Sequence, residues 1–345
     1  MKKVGIIKDD TYLEHITDDF HPENPERLVS IYRMLKGIDQ TGLVYVPARP
    51  ATDEEIALNH DQSYIAAVRE TKGKIQRRLD PDTVTSAKSY EAACMAAGGL
   101  CELIDACMSG QINNGFALVR PPGHHAEPGR SMGFCIFNNI AVGARYLKKK
   151  YGSERILIVD FDLHHGNGTQ HSFYEDASVL YVSTHQYPYY PGTGWYTEVG
   201  QKEGKGYTVN IPFDYGMNDA DYIYAFRQIV VPVGHLFKPE IVLVSAGFDI
   251  HRNDPLGGMG VTEHGFARMA GMLIELAQAK CGGKVLFVLE GGYDIRALTD
   301  SVKTVIMELK GTPVHIPEND DEPCAGAMQL ASKVKQALEP YWGTF

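Results

Sequence analysis

The stretch Ile156–His165, ILIVDFDLHH, decides the fold of this 345-residue chain and raises its central chemical question. Its first four residues are all apolar and mostly β-branched, a pattern typical of a strand covered on both faces of a parallel sheet. Four ionisable side chains follow, namely Asp160, Asp162, His164 and His165. An unpaired buried carboxylate costs on the order of several kcal/mol, so this strand end needs a compensating positive charge.

Short apolar runs alternate with longer helical patterns along the rest of the chain. Strands are predicted at Lys3–Ile7, Gly115–Val119, Arg155–Asp160, Ser178–Ser183, Thr208–Ile211, Ile241–Ala246 and Lys284–Leu289. Helices are predicted at Pro25–Gly37, Asp53–Leu58, Gln62–Lys72, Ser86–Ser109, Asn138–Tyr151, Asp219–Phe237, Thr262–Ala279 and Ile295–Lys310. This alternation predicts an α/β protein with a parallel, doubly wound sheet.

Loops rich in histidine, aspartate and glycine follow five of the predicted strands. Their sequences are RPPGHHAEPGRSMGF, DLHHGNGTQ, THQYPYYPGTG, GFDIHRNDPLGG and EGGYD. In open α/β sheets, ligands bind beyond the carboxyl ends of the strands. We therefore expect the five loops to converge on one site.

Aspartate and histidine residues in two of these loops have the pattern of a metal site. Alternate residues of an extended segment face the same way, so Asp160, Asp162 and His164 share a face if the extension continues to residue 164. Asp249 and His251 form a second such pair. Carboxylate and imidazole ligands suit Zn²⁺ or another borderline divalent ion, and three protein ligands leave a position open for water. The ion would also offset the desolvation of the carboxylates.

Two further features favour hydrolysis. The adjacent His124 and His125, on a Pro-Pro-Gly turn, can supply a base and an acid beside a metal. Tyr293, on a Gly-Gly turn, can donate a hydrogen bond to an oxyanion. The sequence contains no Gly-x-Ser-x-Gly elbow, Walker loop or strand-linked dinucleotide fingerprint.

Composition restricts the class of protein and its partners. The net charge of -10 argues against a direct nucleic-acid partner. The six cysteines form no Cys-x-x-Cys pair and are expected to be reduced core thiols of a cytoplasmic protein. The N-terminal apolar run is too short for a signal peptide, and no apolar run is long enough to span a membrane, so we expect no membrane partner.

Seven sequence blocks resemble the histone deacetylase superfamily, which also includes acetylpolyamine amidohydrolases and acetoin-utilization proteins. The blocks are RPPGHHAE, GFCIFNN, VDFDLHHGNGTQ, YPGTG, SAGFD, DPLGG and LEGGY. They occur in family order, and the resemblance extends from residue 21 to residue 310. It implies a single domain with three α/β/α layers around a mainly parallel sheet, the arginase–deacetylase fold.

The resemblance implies a metal-assisted amide hydrolysis. Asp162, His164 and Asp249 would hold one Zn²⁺ per chain, and Fe²⁺ fits the same ligands. The catalytic residues implied are His125 as general base and acid, His124 as its electrostatic partner, Tyr293 as oxyanion donor, and Asp160 and Asn167 as the acceptors that orient the two histidines.

The resemblance also implies potassium and substrate sites. The positions that match a first K⁺ site near the zinc are Asp160, Asp162, His164, Ser183 and Thr184, and those of a second are Phe173, Asp176 and Val179. The positions that match a narrow channel for an acylated aminoalkyl chain are Gly133, Phe134 and Tyr190, with Leu256 at its rim and Arg27 at the acetate exit. Either Asp80 or Asp82 would be an acidic residue at the rim, and we assign Asp82.

Residues at three positions indicate which branch of the superfamily the chain resembles. Asn167 stands where class I members have aspartate, so the chain is identified as a class II-like, bacterial-type member. Tyr293 is retained, which disfavours the weakly active branch that has histidine there. Leu256 is apolar, whereas polyamine-preferring relatives use an acidic gatekeeper or a long insertion between the early helices.

The function expected from these residues is hydrolysis of acetyl or short acyl groups from lysine side chains of proteins or from a similar aminoalkyl amide. Hydroxamate-type inhibitors are expected to bind the metal. One alternative is an acetylpolyamine deacetylase, and a second is a catalytically quiet acyl-lysine-binding protein. The oligomeric state is not indicated by the sequence.

Some residues keep two interpretations. His251 could indicate a second metal, as in the ureohydrolases that share this fold, although their Asp-Ala-His-x-Asp motif is missing. His165 is expected to be structural because it faces away from His164. Roles in the channel stay open for Tyr187, Tyr189 and Trp195.

A polar, acidic connection, Gly311–Cys324, follows the region of resemblance. After it, Leu330, Val334 and Leu338 are spaced four apart, which predicts a short amphipathic helix. We therefore divide the chain into a zinc-dependent deacetylase domain, residues 1–310, and a tail, residues 311–345, whose helix packs on the same domain.

Overall fold

A single parallel sheet forms the centre of the protein. The computed structural model describes residues 2–312 and 322–345. The strands in these ranges are β1 (Val4–Ile7), β2 (Leu43–Tyr45), β3 (Arg77–Arg78), β4 (Val84–Thr85), β5 (Asn114–Ala117), β6 (Ile156–Asp160), β7 (Val179–Gln186), β8 (Thr208–Phe213), β9 (Ile241–Ala246) and β10 (Val285–Leu289). Eight of them form one sheet in the order β2-β1-β5-β10-β9-β6-β7-β8, with every neighbouring pair parallel. β3 and β4 form a separate antiparallel hairpin.

Helices cover the sheet on both faces. They are α1 (Glu26–Gly37), α2 (Asp53–Ile56), α3 (Gln62–Arg69), α4 (Ser89–Met108), α5 (Asn139–Tyr151), α6 (Asn167–Phe173), α7 (Asp219–Ala225), α8 (Val231–Phe237), α9 (Glu263–Cys281), α10 (Ile295–Lys310) and α11 (Ala325–Trp342). α4, α5 and α6 form one contacting series, whereas α1, α10, α9 and α7 form another. α5 and α9 both contact β9, so the predicted three-layer α/β/α architecture is confirmed.

The strand order brings the predicted functional loops together. Every residue of β6, β9 and β10 is buried, as the apolar runs of the sequence predict. β9 pairs with β10 on one side and with β6 on the other, and all three run in the same direction. Their following loops therefore leave from one edge of the sheet.

The chain after β6 differs from the extended segment predicted from the sequence. The strand ends at Asp160, so the condition that the extension continues to residue 164 is not met. The amide of Asp162 donates to Asp160 Oδ1 at 3.1 Å, and the amide of His164 donates to Asp162 Oδ1 at 2.9 Å. These bonds from backbone to side chain replace the ladder bonds of a strand. The three side chains nevertheless reach one region, because the turn is held by the carboxylates themselves.

Several short elements were not predicted. They are β2, the hairpin of β3 and β4, and α6. α6 has the polar sequence NGTQHSF, so it lacks the apolar period that indicates a helix. The predicted helix at Asp219–Phe237 is continuous but contains a π-helical turn, Phe226–Val230, between α7 and α8.

The tail helix packs on the body of the protein. Val334 and Leu338 of α11 are buried, and α11 contacts β8 and α7. The indole Nε1 of Trp342 donates to the carbonyl oxygen of Gly206 at 2.8 Å. Residues 313–321 of the predicted acidic connection lie outside the described residues. The division of the chain at residue 310 stays a prediction.

The cysteines and the helices bear on two expectations drawn from composition, and the expected core position fails for Cys324. All six cysteines are free thiols, and Cys324 is the exposed one. Among residues 2–312 and 322–345, no helix has the length and apolar character needed to cross a membrane.

The substitution Gly98→Ala tests the close packing of α4 against the connection that follows β2. A Cβ at this position would overlap the backbone carbonyl oxygen of Arg49 and the backbone amide of Ala51. We expect the free energy of unfolding to fall by about 1–3 kcal/mol, because backbone cannot move aside as a flexible side chain can. Urea denaturation followed by circular dichroism measures this change.

Gly37→Ala, in α1, is the matched control. A Cβ there has no heavy atom within 4 Å. Its free energy of unfolding should stay unchanged or rise by up to about 1 kcal/mol, because alanine is the better helix former. Equal destabilisation by both substitutions would contradict the packing argument.

Candidate active site

Three predicted ligand side chains meet beyond the carboxyl ends of β6 and β9. The Nδ1 atom of His164 lies 3.2 Å from Asp162 Oδ1 and 3.2 Å from Asp249 Oδ2. One donor atom from each residue lies within 4.8 Å of the others. Both aspartates are fully buried, and His164 is partly exposed.

Backbone amides hold the two aspartates in place. Asp249 Oδ1 accepts a hydrogen bond from the amide of Leu163 at 2.9 Å. Asp162 Oδ2 accepts one from the amide of Gly291 at 2.9 Å. A Cβ on Gly291 would overlap the carboxylates of both aspartates, so glycine is required for this close approach. The loops after β6, β9 and β10 are thus joined through the acidic side chains.

The electrostatics of this cluster fit a cation. Burial raises the pKa of Asp249 to about 7, and the nearby charge of Asp162 adds to this rise. Although burial opposes it, His124 and His164 hold the pKa of Asp162 well below its ordinary value. Asp249 Oδ2 is buried near the His164 ring nitrogen, but no donor among the described residues is aligned to form a hydrogen bond with it. Two aspartates and one histidine with a free carboxylate oxygen match the ligand preferences of Zn²⁺ and Fe²⁺.

The adjacent His124 and His125 stand beside the three ligand candidates. Their ring centroids are 4.0 Å apart, and the ring of His125 lies 5.8 Å from that of His164. The Nδ1 atom of His124 lies 3.1 Å from Asp160 Oδ2, and its Nε2 atom lies 3.7 Å from Asp162 Oδ1. Burial alone would lower the pKa of His124, but the charges of Asp162 and Asp160 raise it to about 10.

His125 has a different environment and a different charge. Its Nδ1 atom lies 2.7 Å from Asn167 Oδ1. The amide nitrogen of Asn167 donates to Glu127 Oε1 at 2.6 Å, which fixes the orientation of the amide group. His125 therefore carries its proton on Nδ1, and Nε2 is free to accept one. Burial and the positive charges of His124 and His164 hold the pKa of His125 well below its ordinary value.

Glu290 and Tyr181 support His124, and the sequence motifs predict no role for either residue. Glu290 Oε2 accepts hydrogen bonds from the amides of Gly123 at 2.6 Å and His124 at 3.2 Å. The hydroxyl of Tyr181 donates to Asp160 Oδ2 at 3.1 Å. Glu290 is the acidic residue of the LEGGY block, and that position was the only signal available in the sequence.

Glu290 also belongs to a second group of potential metal donors, with His124 and Cys135. Its two carboxylate oxygens are already engaged, because Oε1 accepts from the Ser245 hydroxyl at 2.9 Å. The Cys135 thiol donates to the carbonyl oxygen of Gly133, and burial raises its pKa well above the ordinary value. We therefore interpret this group as a hydrogen-bonded support for His124.

Hydrogen bonds to its backbone amide and an arginine that packs on its ring fix the position of Tyr293. Asp254 Oδ2 accepts hydrogen bonds from the amides of Tyr293 at 2.6 Å and Asp294 at 3.2 Å. The guanidinium of Arg27 lies 5.0 Å from the centroid of the Tyr293 ring. Arg27 donates to the carbonyl oxygens of Gly292 at 2.7 Å and Glu290 at 2.6 Å. These bonds fix the turn that carries Tyr293.

The predicted channel residues line one narrow cavity of about 90 Å³. Its wall and base are formed by Asp82, Pro122, His124, His125, Gly133, Phe134, His164, Tyr190, Leu256, Gly291 and Tyr293. The rings of Phe134 and Tyr293 are 5.9 Å apart, and those of His125 and Tyr190 are 5.1 Å apart, both edge to face. Arg27 lies behind Tyr293 and is not part of the lining, so its predicted place at an acetate exit stays a prediction.

Comparison with known proteins assigns this site to a family. Residues 21–309 match the family model described as the histone deacetylase domain. The chain belongs to the histone deacetylase family. The expectation of a bacterial-type member is not borne out, because the relatives compared below are plant, fungal and human proteins.

Three relatives of this family illustrate the similarity. Histone deacetylase 15 of Arabidopsis thaliana is 41% identical over 332 residues, which cover 93% of this chain and 59% of that protein. Histone deacetylase HDA1 of Saccharomyces cerevisiae is 38% identical, with 97% and 51% covered. Polyamine deacetylase HDAC10 of Homo sapiens is 40% identical, with 93% and 49% covered. The chain thus spans between about half and three-fifths of these proteins.

A solved structure of a family member has the same fold. The crystal structure of the HDA15 HD domain superposes with a TM-score of 0.92 at 39% sequence identity. The superposition covers 99% of this chain and 95% of that chain. The arginase–deacetylase fold expected for this family is therefore confirmed.

Other histidines and aromatic residues near the active site of this histone deacetylase domain do not belong to the cluster of proposed metal ligands. His165 faces away from the ligand cluster, with its ring nitrogens 2.8 Å from Thr193 Oγ1 and 2.9 Å from Gln170 Oε1. His251 stacks on Phe266 and belongs to neither group of metal donors found among the described residues. The ring of Tyr189 stacks on that of His164, with centroids 5.6 Å apart.

The positions predicted to bind potassium lie on β6 and β7, in the turn after β6, and beside α6. Ser183 of β7 pairs directly with Asp160 of β6, and Thr184 follows it. The Thr184 hydroxyl is buried without a hydrogen-bond partner in the described part of the chain. Phe173 ends α6 and Val179 begins β7. The carboxylate of Asp176 lies 2.6 Å from the Lys148 ammonium and 3.2 Å from the Arg145 guanidinium.

A buried charge network beneath the turn of Tyr293 was also not predicted. Glu23 lies between Arg27 at 3.0 Å and Arg120 at 2.8 Å, and all three side chains are fully buried. His15 Nε2 is 3.5 Å from Glu23 Oε2. Although burial opposes ionisation, Arg120, His15 and Arg27 hold the pKa of Glu23 well below its ordinary value.

The substitution Glu23→Ala tests this network. It leaves two buried guanidinium groups without their shared carboxylate, so we expect the free energy of unfolding at neutral pH to fall by about 3–5 kcal/mol. Because the pKa of Glu23 is depressed in the folded state, its contribution is complete above pH 4.5 and declines as the pH falls through the folded-state pKa. Urea denaturation at several pH values measures both effects.

Glu14→Ala is the matched control, because Glu14 is exposed. It should change the free energy of unfolding by less than about 0.5 kcal/mol. A Glu23→Ala variant as stable as the control would refute the role given to the network.

Proposed function

We propose that this chain is a zinc-dependent amidohydrolase that removes acetyl or another short acyl group from the side-chain amine of lysine in proteins, or from a similar aminoalkyl amide. The observation that carries the proposal is one narrow cavity whose lining includes His124, His125, His164 and Tyr293. Membership of the histone deacetylase family supports the same reaction class.

We propose Asp162, His164 and Asp249 as the ligands of the catalytic ion, with Zn²⁺ as the expected metal and Fe²⁺ as the alternative. The free oxygen of Asp249 and the clustering of three donor atoms support this assignment. When bound, the ion would polarise the scissile carbonyl and lower the pKa of the attacking water.

His125 is the proposed general base and general acid. Because Nδ1 carries a proton toward Asn167, its Nε2 atom can accept the proton of the attacking water. The oxygen of that water forms a bond to the carbonyl carbon. When the C–N bond breaks, His125 returns the proton to the leaving amine nitrogen. The remaining proton of the water passes from the carboxylic acid to the amine, so the products are a carboxylate and an ammonium group.

His124 is proposed to act through its charge. Its Nδ1–H group is oriented toward Asp160, whose other contacts are with Tyr181 and the amide of Asp162. A protonated His124 beside His125 stabilises the negative charge that develops during attack. It also keeps His125 neutral and able to accept a proton, because like charges this close oppose each other.

Tyr293 is the proposed oxyanion donor. Its hydroxyl group can donate a hydrogen bond to the carbonyl oxygen as that atom becomes negative. Asp254 and Arg27 are positioning residues for it, because they bind the backbone and the ring of the turn that carries it. Burial raises the pKa of Tyr293 well above its ordinary value, so the phenol keeps the proton it must donate.

The cavity supports a substrate with a thin, flexible chain. Gly133, Phe134 and Tyr190 would enclose the methylene groups, and Leu256 and Asp82 would contact the substrate at the mouth. Asp82 Oδ1 accepts a hydrogen bond from the amide of Gly133 at 3.2 Å, which orients the carboxylate. The volume of about 90 Å³ is suited to one acylated side chain and not to a bulky group.

We also propose a K⁺ ion near the metal ligands, held by Asp160, Asp162, His164, Ser183 and Thr184. The buried and unsatisfied hydroxyl of Thr184 supports it, as does the pairing of Ser183 with Asp160. A monovalent cation there would help to neutralise the buried carboxylates. The second K⁺ site at Phe173, Asp176 and Val179 and the cytoplasmic location both stay predictions.

Metal content tests the ligand assignment without reference to activity. Asp162→Ala removes one of three ligands and is expected to abolish stoichiometric zinc binding and turnover. His165→Asn is the matched control, because this neighbouring side chain contacts Thr193 and Gln170 and not the cluster. Elemental analysis of both purified variants gives the zinc bound per chain. Retention of stoichiometric zinc by Asp162→Ala would contradict the assignment of Asp162 as a metal ligand.

Turnover tests the oxyanion donor. Tyr293→Phe removes one hydroxyl group and is expected to lower kcat by about 10²–10³, because that hydrogen bond is made most strongly in the transition state. Hydrolysis of an acetyl-lysine peptide by the zinc-loaded protein measures it. A hydroxamate should inhibit the unaltered protein, and His125→Ala should be as impaired as Tyr293→Phe or more. Full activity in both variants would refute the proposed mechanism.

An acetylpolyamine deacetylase is the second candidate function. It is favoured by the 40% identity to proteins named polyamine deacetylase HDAC10, and disfavoured by the apolar Leu256 at the rim. We expect kcat/KM to be higher for an acetyl-lysine peptide than for acetylputrescine. The reverse order would establish the polyamine candidate.

A catalytically quiet acyl-lysine-binding protein is the alternative from another class. The intact set of His124, His125 and Tyr293 around the cavity argues against it. Any turnover that a chelator abolishes and added Zn²⁺ restores would exclude this alternative.

A further inference from the structure

A second groove lies on the surface beside the narrow cavity. It has a volume of about 270 Å³ and runs between the loop at residues 187–196 and the first half of α11. The loop side is aromatic and proline-rich, with Tyr187, Pro188, Trp195, Tyr196 and Pro212. The helix side is formed by Gly326, Gln329, Leu330 and Lys333, with Asp214 and Met217 completing the lining. None of these residues lines the cavity of the candidate active site.

The aromatic side chains of the groove form one continuous group. The rings of Tyr187 and Trp195 have centroids 4.8 Å apart, and those of Trp195 and Tyr196 are also 4.8 Å apart. Trp195 is 39% exposed although it is the most apolar side chain of the group. Clustered exposed aromatic residues mark a binding surface more often than single ones do.

Hydrogen bonds to Glu198 hold the loop that presents Trp195. Glu198 Oε1 accepts from the amides of Gly194 at 3.0 Å and Trp195 at 2.9 Å. Glu198 Oε2 accepts from the Gln170 amide at 2.7 Å, and Gln170 Oε1 lies 2.9 Å from His165 Nε2. The loop is therefore anchored to the segment after β6, and a surface organised in advance loses less entropy on binding.

The groove and the cavity share one wall. Tyr190 lines the cavity, whereas Tyr187 and Pro188 of the same short segment line the groove. Between them, the Tyr189 hydroxyl donates to the carbonyl oxygen of Leu256 at 2.9 Å, which ties this wall to the rim of the cavity. The cavity has room for one acylated side chain, so the rest of a protein substrate must lie outside it. A chain that leaves the mouth over Tyr189 would run toward Tyr187 and Pro188 of the groove.

We propose that this groove binds the polypeptide that flanks the acylated lysine of a protein substrate, in an extended conformation with an apolar or proline residue against Trp195. The inference rests on the proposed hydrolysis of acyl-lysine. Aromatic grooves suit such segments because an extended chain projects its side chains into pockets and leaves its backbone free for hydrogen bonds. Lys333 and Asp214, of opposite charge, can serve polar groups of the same segment. A polyamine offers no apolar side chain to this surface.

Kinetics with short and long substrates test the proposal. The short substrate is a blocked single acetyl-lysine, and the long one is a peptide with apolar and proline residues on both sides of the acetyl-lysine. Trp195→Ala is expected to raise KM for the long peptide about tenfold, the effect of truncating an aromatic anchor at an interface, and to leave kcat unchanged. The kinetics of the short substrate should not change. Trp195→Phe should restore most of the lost affinity.

Tyr45→Ala is the matched control. Tyr45 is also an exposed aromatic residue, at 42%, but it lies on β2 at the opposite edge of the sheet from β8. This variant should leave the KM of both substrates unchanged. An equal effect of Trp195→Ala on both substrates, or no effect on either, would overturn the proposal.

A binding measurement separates the groove from catalysis. The sequence has two tryptophans, so Trp342→Phe leaves Trp195 as the single indole. Addition of the long peptide with glutamine in place of acetyl-lysine should shift the emission of Trp195, and the short substrate should not. No shift with the long peptide would count against the groove. Failure of the unaltered zinc-loaded protein to hydrolyse the short substrate would refute the proposed function and leave this titration valid.

Discussion

Buried negative charge at the carboxyl ends of β6, β9 and β10 is the constraint on which the rest of the structure depends. Asp160, Asp162, Asp249 and Glu290 are all fully buried there. Backbone amides of neighbouring loops, the two histidines and the proposed cation are the groups that make this burial tolerable. The parallel sheet is the scaffold that allows it, because it ends three adjacent strands at one edge. The acidic side chains join these loops through hydrogen bonds to the backbone, and buried aromatic residues such as Phe161 and Phe248 pack beside them.

The sheet and the residues of the acidic cluster could be predicted from the sequence because both depend on patterns within short segments of the chain. The apolar runs of β6, β9 and β10 indicate buried strands, and the motif blocks place acidic and histidine residues directly after them. The path of the chain after Asp160 was not predictable in this way. An extended segment and a turn held by side-chain acceptors both bring Asp162 and His164 to one side.

The roles of the supporting residues could not be predicted from the sequence, because their hydrogen-bond partners are distant along the chain. Glu290 binds an amide 167 residues away, and Arg120 binds Glu23 from 97 residues away. A single acidic or basic residue inside a motif block has no pattern that reveals such a partner. α6 and β2 were not predicted for another reason. α6 is too polar and β2 is too short to show the apolar pattern of a helix or a strand. Recognition of these residues requires the three-dimensional contacts.

The tail helix has a consequence for the solution behaviour of the protein. β8 is the last strand of the sheet, and α11 packs against it. A bare edge strand offers unpaired amides and carbonyls to any other chain, which is a common route to aggregation. Because α11 packs against β8, we expect it to limit the access of a second molecule to this edge. Removal of the segment after residue 321 is therefore expected to promote aggregation as well as to remove one wall of the groove.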